Sequence, residues 1–507
     1  MKHLATIPVL LAASLGTAEH SQLWGASGER WRADGRLPEF SFAGYRCGER
    51  PIPDPPVAAN VRAFGAVGDG TTDDTQAFNE AIARTASGAI LVPAGRYRIT
   101  GFVTIAKPNL VLRGEGSAAS ILVFDRPLTE VKADWGATTT GERTSNYSWS
   151  GGYLVIQGSL RRGSPIAITG EAPRGGHDLA VAMVAGLSVG SWVEIRMEDD
   201  AERSLTTELY GGDPGPIAKL KPAQTGQPVR IVAIDPATGT VHLDRPLRSP
   251  TRAAWKPRLV PIDPSVTDSG IEGLGFSFPA TPWQGEFSEL GYNAIKLSDC
   301  AHCWVRDVRL HNAEGGIFAS GMHCTITGVV LAADKASATK ERYSSAAGCV
   351  GHHGISLYGP DHLVTGFDFQ VNYVHDLSVE GFRSAGNVFS KGRGIDLCFD
   401  HHRKAPHANL FTDLDCGAGN RIWRCGGGAD LGRHCGGWGT FWNLRSVKPL
   451  APPPAGWAAP TLNMVGLASD RPTVTPVDGW WWEAIRPVDL LPQDLHAAQL
   501  ARRLAGR

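Results

Sequence analysis

One short pattern recurs through the second half of the chain and leaves few folds open to it. Ala294-Ile295-Lys296-Leu297, Gly316-Ile317-Phe318-Ala319, Gly354-Ile355-Ser356-Leu357 and Gly394-Ile395-Asp396-Leu397 each set a small or flexible residue before an apolar–variable–apolar strand. Arg421-Ile422-Trp423-Arg424 reads as one more copy. Strand side chains alternate between faces, so the apolar pair is expected inside and the variable residue outside. Short strands repeated in this way specify stacked coils, each burying its face on the next. The steps from Ile295 to Ile317 and from Ile395 to Ile422 fit one coil each. The step from Ile317 to Ile355 needs a loop near Asp334–Ser345, and that from Ile355 to Ile395 needs an extra coil through Val374-His375.

Composition agrees with a turn-rich β protein. The 507 residues include 61 Gly, 34 Pro and 15 Trp, and the net charge of −1 leaves no basic footprint for nucleic acid. Residues 1–18 (MKHLATIPVLLAASLGTA) read as a signal peptide: Lys2, an apolar run too short to span a bilayer, then small residues. The expectation is a secreted or periplasmic protein with no membrane segment. Eight of the nine Cys lie between Cys300 and Cys435, in spacings too irregular for a zinc ribbon, and are expected mainly as small core residues with a bridge or two at most.

The most diagnostic stretch is NVRAFGAVGDGTTDDTQAFNEAIARTASGAILVPAGRYRI, which begins at Asn60. A Gly/Asp turn precedes Asp73 and Asp74, candidate N-caps. Phe78 and Ile82 then follow at helical spacing, and a strand ends at Pro93. This stretch resembles the opening of the secreted right-handed parallel β-helix proteins of the pectate-lyase-like superfamily. The resemblance implies an all-β, right-handed parallel β-helix behind an N-terminal capping helix. It is weak for substrate, since the superfamily holds lyases, hydrolases, epimerases and phage tailspikes.

Along the chain, residues 19–56 read as an extended arm, and 57–164 as the capping helix and first coils. An antiparallel β subdomain is expected as an insertion over 165–260, where Trp192–Met197 alternates cleanly. The main β-helix follows over 261–450. Residues 451–507 form a Pro-rich linker and a tail whose final helix would share a face of Ala497, Leu500 and Leu504.

Histidine marks the candidate site. Eleven of the sixteen lie between His302 and His434, concentrated in Gly351-His352-His353-Gly354, His375-Asp376 and Asp400-His401-His402-Arg403-Lys404. The two doublets fall about two coils apart on one strand column, roughly 10 Å along the axis. Outward slots of the column are expected to hold Lys296, Phe318, Ser356, His375, Asp396 and Trp423, a polar groove with aromatic members suited to a sugar chain. β-Elimination of a uronate needs positive charge on the carboxylate and a base for the C5 proton. His402 or Lys404 is the expected base, Arg403 and His353 the carboxylate clamp, and Asp400 a group that orients a His or binds a cation, with His401 in the same catalytic run. Lys296, His352, His375, Asp396 and Trp423 are the expected substrate contacts, and the partner is a uronate-containing polysaccharide.

Two alternatives stay open. A glycoside hydrolase would pair Asp396 with Asp400, although the acidic pair that precedes Gly-His-Gly in polygalacturonases is missing upstream of Gly351. A non-catalytic carbohydrate-binding surface protein would use the His doublets structurally. Adjacent His on a strand point to opposite faces, so no residue is assigned to a metal, and calcium is the one ion kept in view.

Overall fold

The computed structural model describes residues 18–138, 140–338, 347–468 and 479–506. All of the proposed leader except Ala18 lies outside the described residues, as does most of the expected loop near Asp334–Ser345. The body is a parallel β-helix. One sheet stacks Val103–Ile105, Leu154–Gln157, Asn293–Ser298, Gly315–Ala319, Cys349–Leu357, Asn372–Val379 and Phe399–His401, all parallel. The extra coil between Ile355 and the Lys391–Lys404 segment is Asn372–Val379, as its Val374-His375 suggests.

A second stack runs from Leu110–Gly114 through Gly270–Ser277, Trp304–His311, Thr325–Ala332, Leu410–Asp415, Thr440–Arg445 and Asn463–Leu467, with shorter strands between. From Gly270–Ser277 onward each coil bends at one residue in the left-handed region. In register these are Gly273 (φ 66°), Asp307 (50°), Gly328 (63°), Gly366 (63°), Lys391 (51°), Asp413 (54°), Asn443 (56°) and Gly466 (66°). Gly lacks the Cβ that makes this region costly, and Asn and Asp tolerate it best among the rest. Inside the coils, rings stack from one rung to the next: Phe389 on Phe411 at 4.7 Å, Phe411 on Phe441 at 5.2 Å. All nine cysteines are free thiols, and Cys425 alone is not fully buried, so none of the expected bridges forms.

The capping helix spans Thr75–Arg84 and buries Ala77, Phe78, Ala81 and Ile82. Asp74 occupies the N-cap position, but its carboxylate accepts the Val67 and Gly68 amides and fastens the preceding turn. Asp73 instead accepts from Thr75 N and both the Thr75 and Thr100 hydroxyls. The insertion is a seven-stranded antiparallel sheet whose strands begin at Leu160 and end at Pro264, with its own core of Ile166, Val193, Ile195, Val229, Ile231, Val241 and Leu259. The last helix, Leu495–Ala505, buries Leu495, His496 and Gln499 while Leu504 stays exposed. The expected apolar face is therefore displaced, because Gln499 turns inward to bond Phe40 N and Pro38 O of the N-terminal arm.

Candidate active site

The outward face of the first sheet carries one register: Thr104, Val155, Lys296, Phe318, Ser356, Ser378 and Asp400 on successive strands. Lys296 lines a cleft of about 330 Å³ with Lys132, Asp134, Asn146, Tyr147, Ser150 and Gln157. Two rungs further on, about 10 Å along the axis, the column enters a cluster of imidazoles. His353 and His375 are cross-strand partners one corner away from Ser356 and Ser378. His353 Nδ1 lies 3.2 Å from Ser356 Oγ, three residues on, so the strand turns within Gly354–Ile355 and both side chains reach the same face.

Four rings meet there. His352 and His353 are 4.2 Å apart between centroids, His353 and His375 4.9 Å, His375 and His402 5.3 Å, and His353 and His402 6.4 Å. Asp400 Oδ2 sits 2.9 Å from His402 Nδ1 and 3.4 Å from His375 Nδ1, and it accepts from Ser378 Oγ at 3.1 Å. Gly426 N donates to the other oxygen at 2.8 Å. On the far side, His352 Nδ1 lies 3.0 Å from Glu289 Oε1, and Ser148 donates to Glu289 Oε2. His352, His353 and His375 are buried, whereas the His402 side chain keeps a quarter of its surface.

Burial and mutual proximity divide these groups into unlike charge states. Burial first, then the neighbouring imidazoles, push His353 well below the ordinary His value. His375 is likewise held well down by burial, against the opposing pull of Asp400. Burial alone would also lower His402, but the Asp400 carboxylate more than reverses it and holds the ring up at about 9. For Asp400 burial opposes ionisation, yet His375 and His402 outweigh it and keep the carboxyl well below its usual range. The site thus sets an imidazolium–carboxylate pair beside neutral imidazole.

The structure gathers His352, His353, His375, Asp400 and His402, keeps Lys296 on the same face two rungs away and Lys404 at the edge, and sends His401, Arg403, Asp396 and Trp423 elsewhere. His401 alternates to the inside of its strand and packs against Phe411, Phe441 and Trp457. Arg403 turns toward Gly432 O and His434 Nε2. Lys404 pairs with Glu380 and leaves its side chain partly exposed at the edge. Arg403, Lys404 and Ala405 are all left-handed, which swings this segment off the sheet immediately after His402.

Asp396 is not in the column. The register passes through Phe399–His401, so Ile395 is exposed, and the Asp396 carboxylate takes Asn420 N and Nδ2 on a surface turn. Asp396 is therefore held on a surface turn and does not share the strand face that carries Asp400. Trp423 lies in a turn and not a strand, against Phe441 and Trp457, and its Nε1 donates to Ala451 O. The rule that adjacent His diverge fails at His352-His353, whose rings both face the cluster 4.2 Å apart between centroids.

Residues not foreseen as partners of the site are Glu289, Ser378, Glu380 and Gly426. Ser378 was recoverable from the column once Asn372–Val379 is aligned to Cys349–Leu357. Glu289 lies between strands and carries no periodic signal.

Residues 58–138 match the family model described as rhamnogalacturonase A/epimerase, pectate lyase-like. Mannuronan C5-epimerase AlgE3 of Azotobacter vinelandii is 36% identical over 101 residues, and alginate lyase 7 of the same organism 33% identical over 113. These matches take in 18% and 20% of this chain and span only 5% and 12% of the relatives' own lengths. The crystal structure of the tailspike protein gp49 from Pseudomonas phage LKA1 superposes on 81% of this chain and 64% of its own, with a TM-score of 0.50 at 14% identity, a likeness of fold alone. The chain is a parallel β-helix protein whose residues 58–138 match a pectate lyase-like family model.

Proposed function

We propose that this protein is an exported enzyme acting on a uronate-containing polysaccharide, removing the C5 proton and cleaving the chain by β-elimination. The observation that supports it is the juxtaposition of His402, held charged by Asp400, with neutral His353 6.4 Å away between ring centroids. A charged group beside the uronate carboxylate acidifies C5–H, and a neutral imidazole takes the proton. The roles expected from sequence are exchanged: His353 is the base and His402 belongs to the carboxylate pole. Lys404 stands at the edge of the site, and the Lys296 cleft offers positive charge to a neighbouring uronate along the same face.

Epimerisation begins with the same proton abstraction and ends with its return to the opposite face. The partial similarity to mannuronan C5-epimerases makes it the second reading. A panel of acidic polysaccharides separates the outcomes. Elimination produces an unsaturated end with new ultraviolet absorbance. Hydrolysis gives reducing ends without that absorbance, and a binder retards the glycan on an affinity gel without product. Absorbance growth by wild type and its loss in His353→Gln is the expected result. Reducing ends alone, or retardation alone, would remove the lyase reading.

A further inference from the structure

The carboxylate pole of the site has the spacing of a metal centre. Two ligand atoms each bound to one ion at about 2.0–2.2 Å stand about 2.9–3.4 Å apart, from octahedral to tetrahedral geometry. The distances from Asp400 Oδ2 to His402 Nδ1 and His375 Nδ1 are 2.9 and 3.4 Å, and one donor atom from each of the three residues lies within 4.8 Å of the others. We propose that His375, Asp400 and His402 bind one divalent first-row transition ion of the zinc class through two imidazole nitrogens and a carboxylate oxygen.

Three further observations point the same way. His375 is 4% exposed, and its Nδ1, turned toward Asp400, has no hydrogen-bond partner among the described residues. A buried ring nitrogen left in that state is destabilising, and ligation satisfies it. The carboxylate is already oriented by outer contacts, with Gly426 N on Oδ1 and Ser378 Oγ on Oδ2, as metal-binding carboxylates commonly are. Gly426 also gives the rings room: a Cβ at that position would stand 2.4 Å from His402 Cε1 and 2.9 Å from His375 Cε1.

The donor set selects among ions. Calcium takes six to eight oxygens, and this trio supplies one carboxylate, so nitrogen-binding zinc-class ions fit and calcium does not. His402, partly exposed, leaves the ion an open side toward the groove, the arrangement of catalytic zinc sites. His352, His353 and His375 form a neighbouring trio within the same distance limit. That trio, however, holds no carboxylate of its own, and His353 Nδ1 faces the Ser356 hydroxyl. With the ion on the carboxylate pole, His402 binds as a neutral ligand, the ion supplies the positive charge in place of its proton, and His353 stays available as a base. That catalytic role rests on the function proposed above; binding of the ion does not.

The test uses the full chain, stripped with a chelator and dialysed, then titrated calorimetrically with Zn²⁺ and followed in the visible with Co²⁺. The expected result is one ion per chain. Asp400→Asn and His402→Gln should each weaken binding by about 100-fold or more, while His352→Gln and His353→Gln retain it within about tenfold. Thermal midpoints within a few degrees of wild type confirm that each variant is folded. Absence of stoichiometric binding overturns the proposal, as does binding abolished by His352→Gln and spared by His402→Gln, which assigns the ion to the other trio. Full activity in the stripped protein would take the ion out of the reaction and leave the lyase reading. One bound ion with no action on any polyuronate would do the reverse.

Discussion

Asp400 and His402, two residues apart where the chain leaves the sheet, are joined by a 2.9 Å contact, and the same carboxylate oxygen faces His375 from the preceding coil. This places one negative charge at the point where three coils' histidines converge. It also separates His402 from His401, its neighbour in sequence, which lies inside the solenoid.

The first prediction concerns that charge. Asp400→Asn keeps the shape and the Ser378 and Gly426 contacts but removes the charge facing both rings. It should lower kcat by about 10²–10⁴-fold, the range for a positioned acid–base group, with little change in thermal midpoint. Steady-state kinetics beside a melting curve read both quantities. An unchanged kcat would mean that the carboxylate is structural.

His401 gives the contrasting case. Replacing it with Phe should leave kcat within about threefold of wild type, because the ring lies inside the solenoid against Phe411, Phe441 and Trp457 and bonds Phe399 O of its own strand. A large loss of kcat in a folded variant would return His401 to the site.

Acid stability follows from the buried neutral rings. Burial holds His302, His401, His407 and His496 at about 4, below the ordinary value of about 6.5. The unfolded chain therefore binds more protons than the folded one between those values, and stability falls as pH drops from about 6.5 toward 4. Each ring contributes up to about 1.4 kcal/mol per pH unit in that window. Denaturant midpoints from pH 7 to 4 should decline steeply in wild type and less steeply in His401→Phe. Parallel curves for the two proteins would contradict this assignment.

The left-handed column is testable at Gly328. A Cβ there would meet nothing nearer than 3.4 Å, so Gly328→Ala isolates the cost of φ 63° from any steric clash. It should destabilise by about 1–2 kcal/mol without altering kcat. A neutral change would show that this bend relaxes freely.

Much of the fold was written in local pattern. The helix cap and the following strand appear where the Gly/Asp turn, Phe78 and Ile82 place them, and the Ile295, Ile317 and Ile355 strands align in register. What misled was the last coil. Gly394-Ile395-Asp396-Leu397 repeats the pattern, but the chain bends at Lys391 and pairs only Arg393–Gly394 in the second stack, leaving Ile395 exposed. Phe399-Asp400-His401 takes the rung instead, with Phe399 and His401 inside, while Leu397 is buried just before it and Ile395 alone is left out. The site was legible as a density of histidine and not as a geometry. Nothing in the order of residues shows that His352 and His353 converge, that Arg403 turns away, or that Glu289 arrives from an irregular loop.

Proton abstraction at C5 is the step common to elimination and epimerisation, so exchange with solvent tests the central claim most directly. Wild type and His353→Gln would be incubated with polyuronates in D₂O and followed by proton NMR. Loss of the C5 proton signal is expected with wild type, into an unsaturated product or by deuterium incorporation, and its retention with His353→Gln. Retention of that signal with wild type across every polyuronate, or equal loss with His353→Gln, would contradict it.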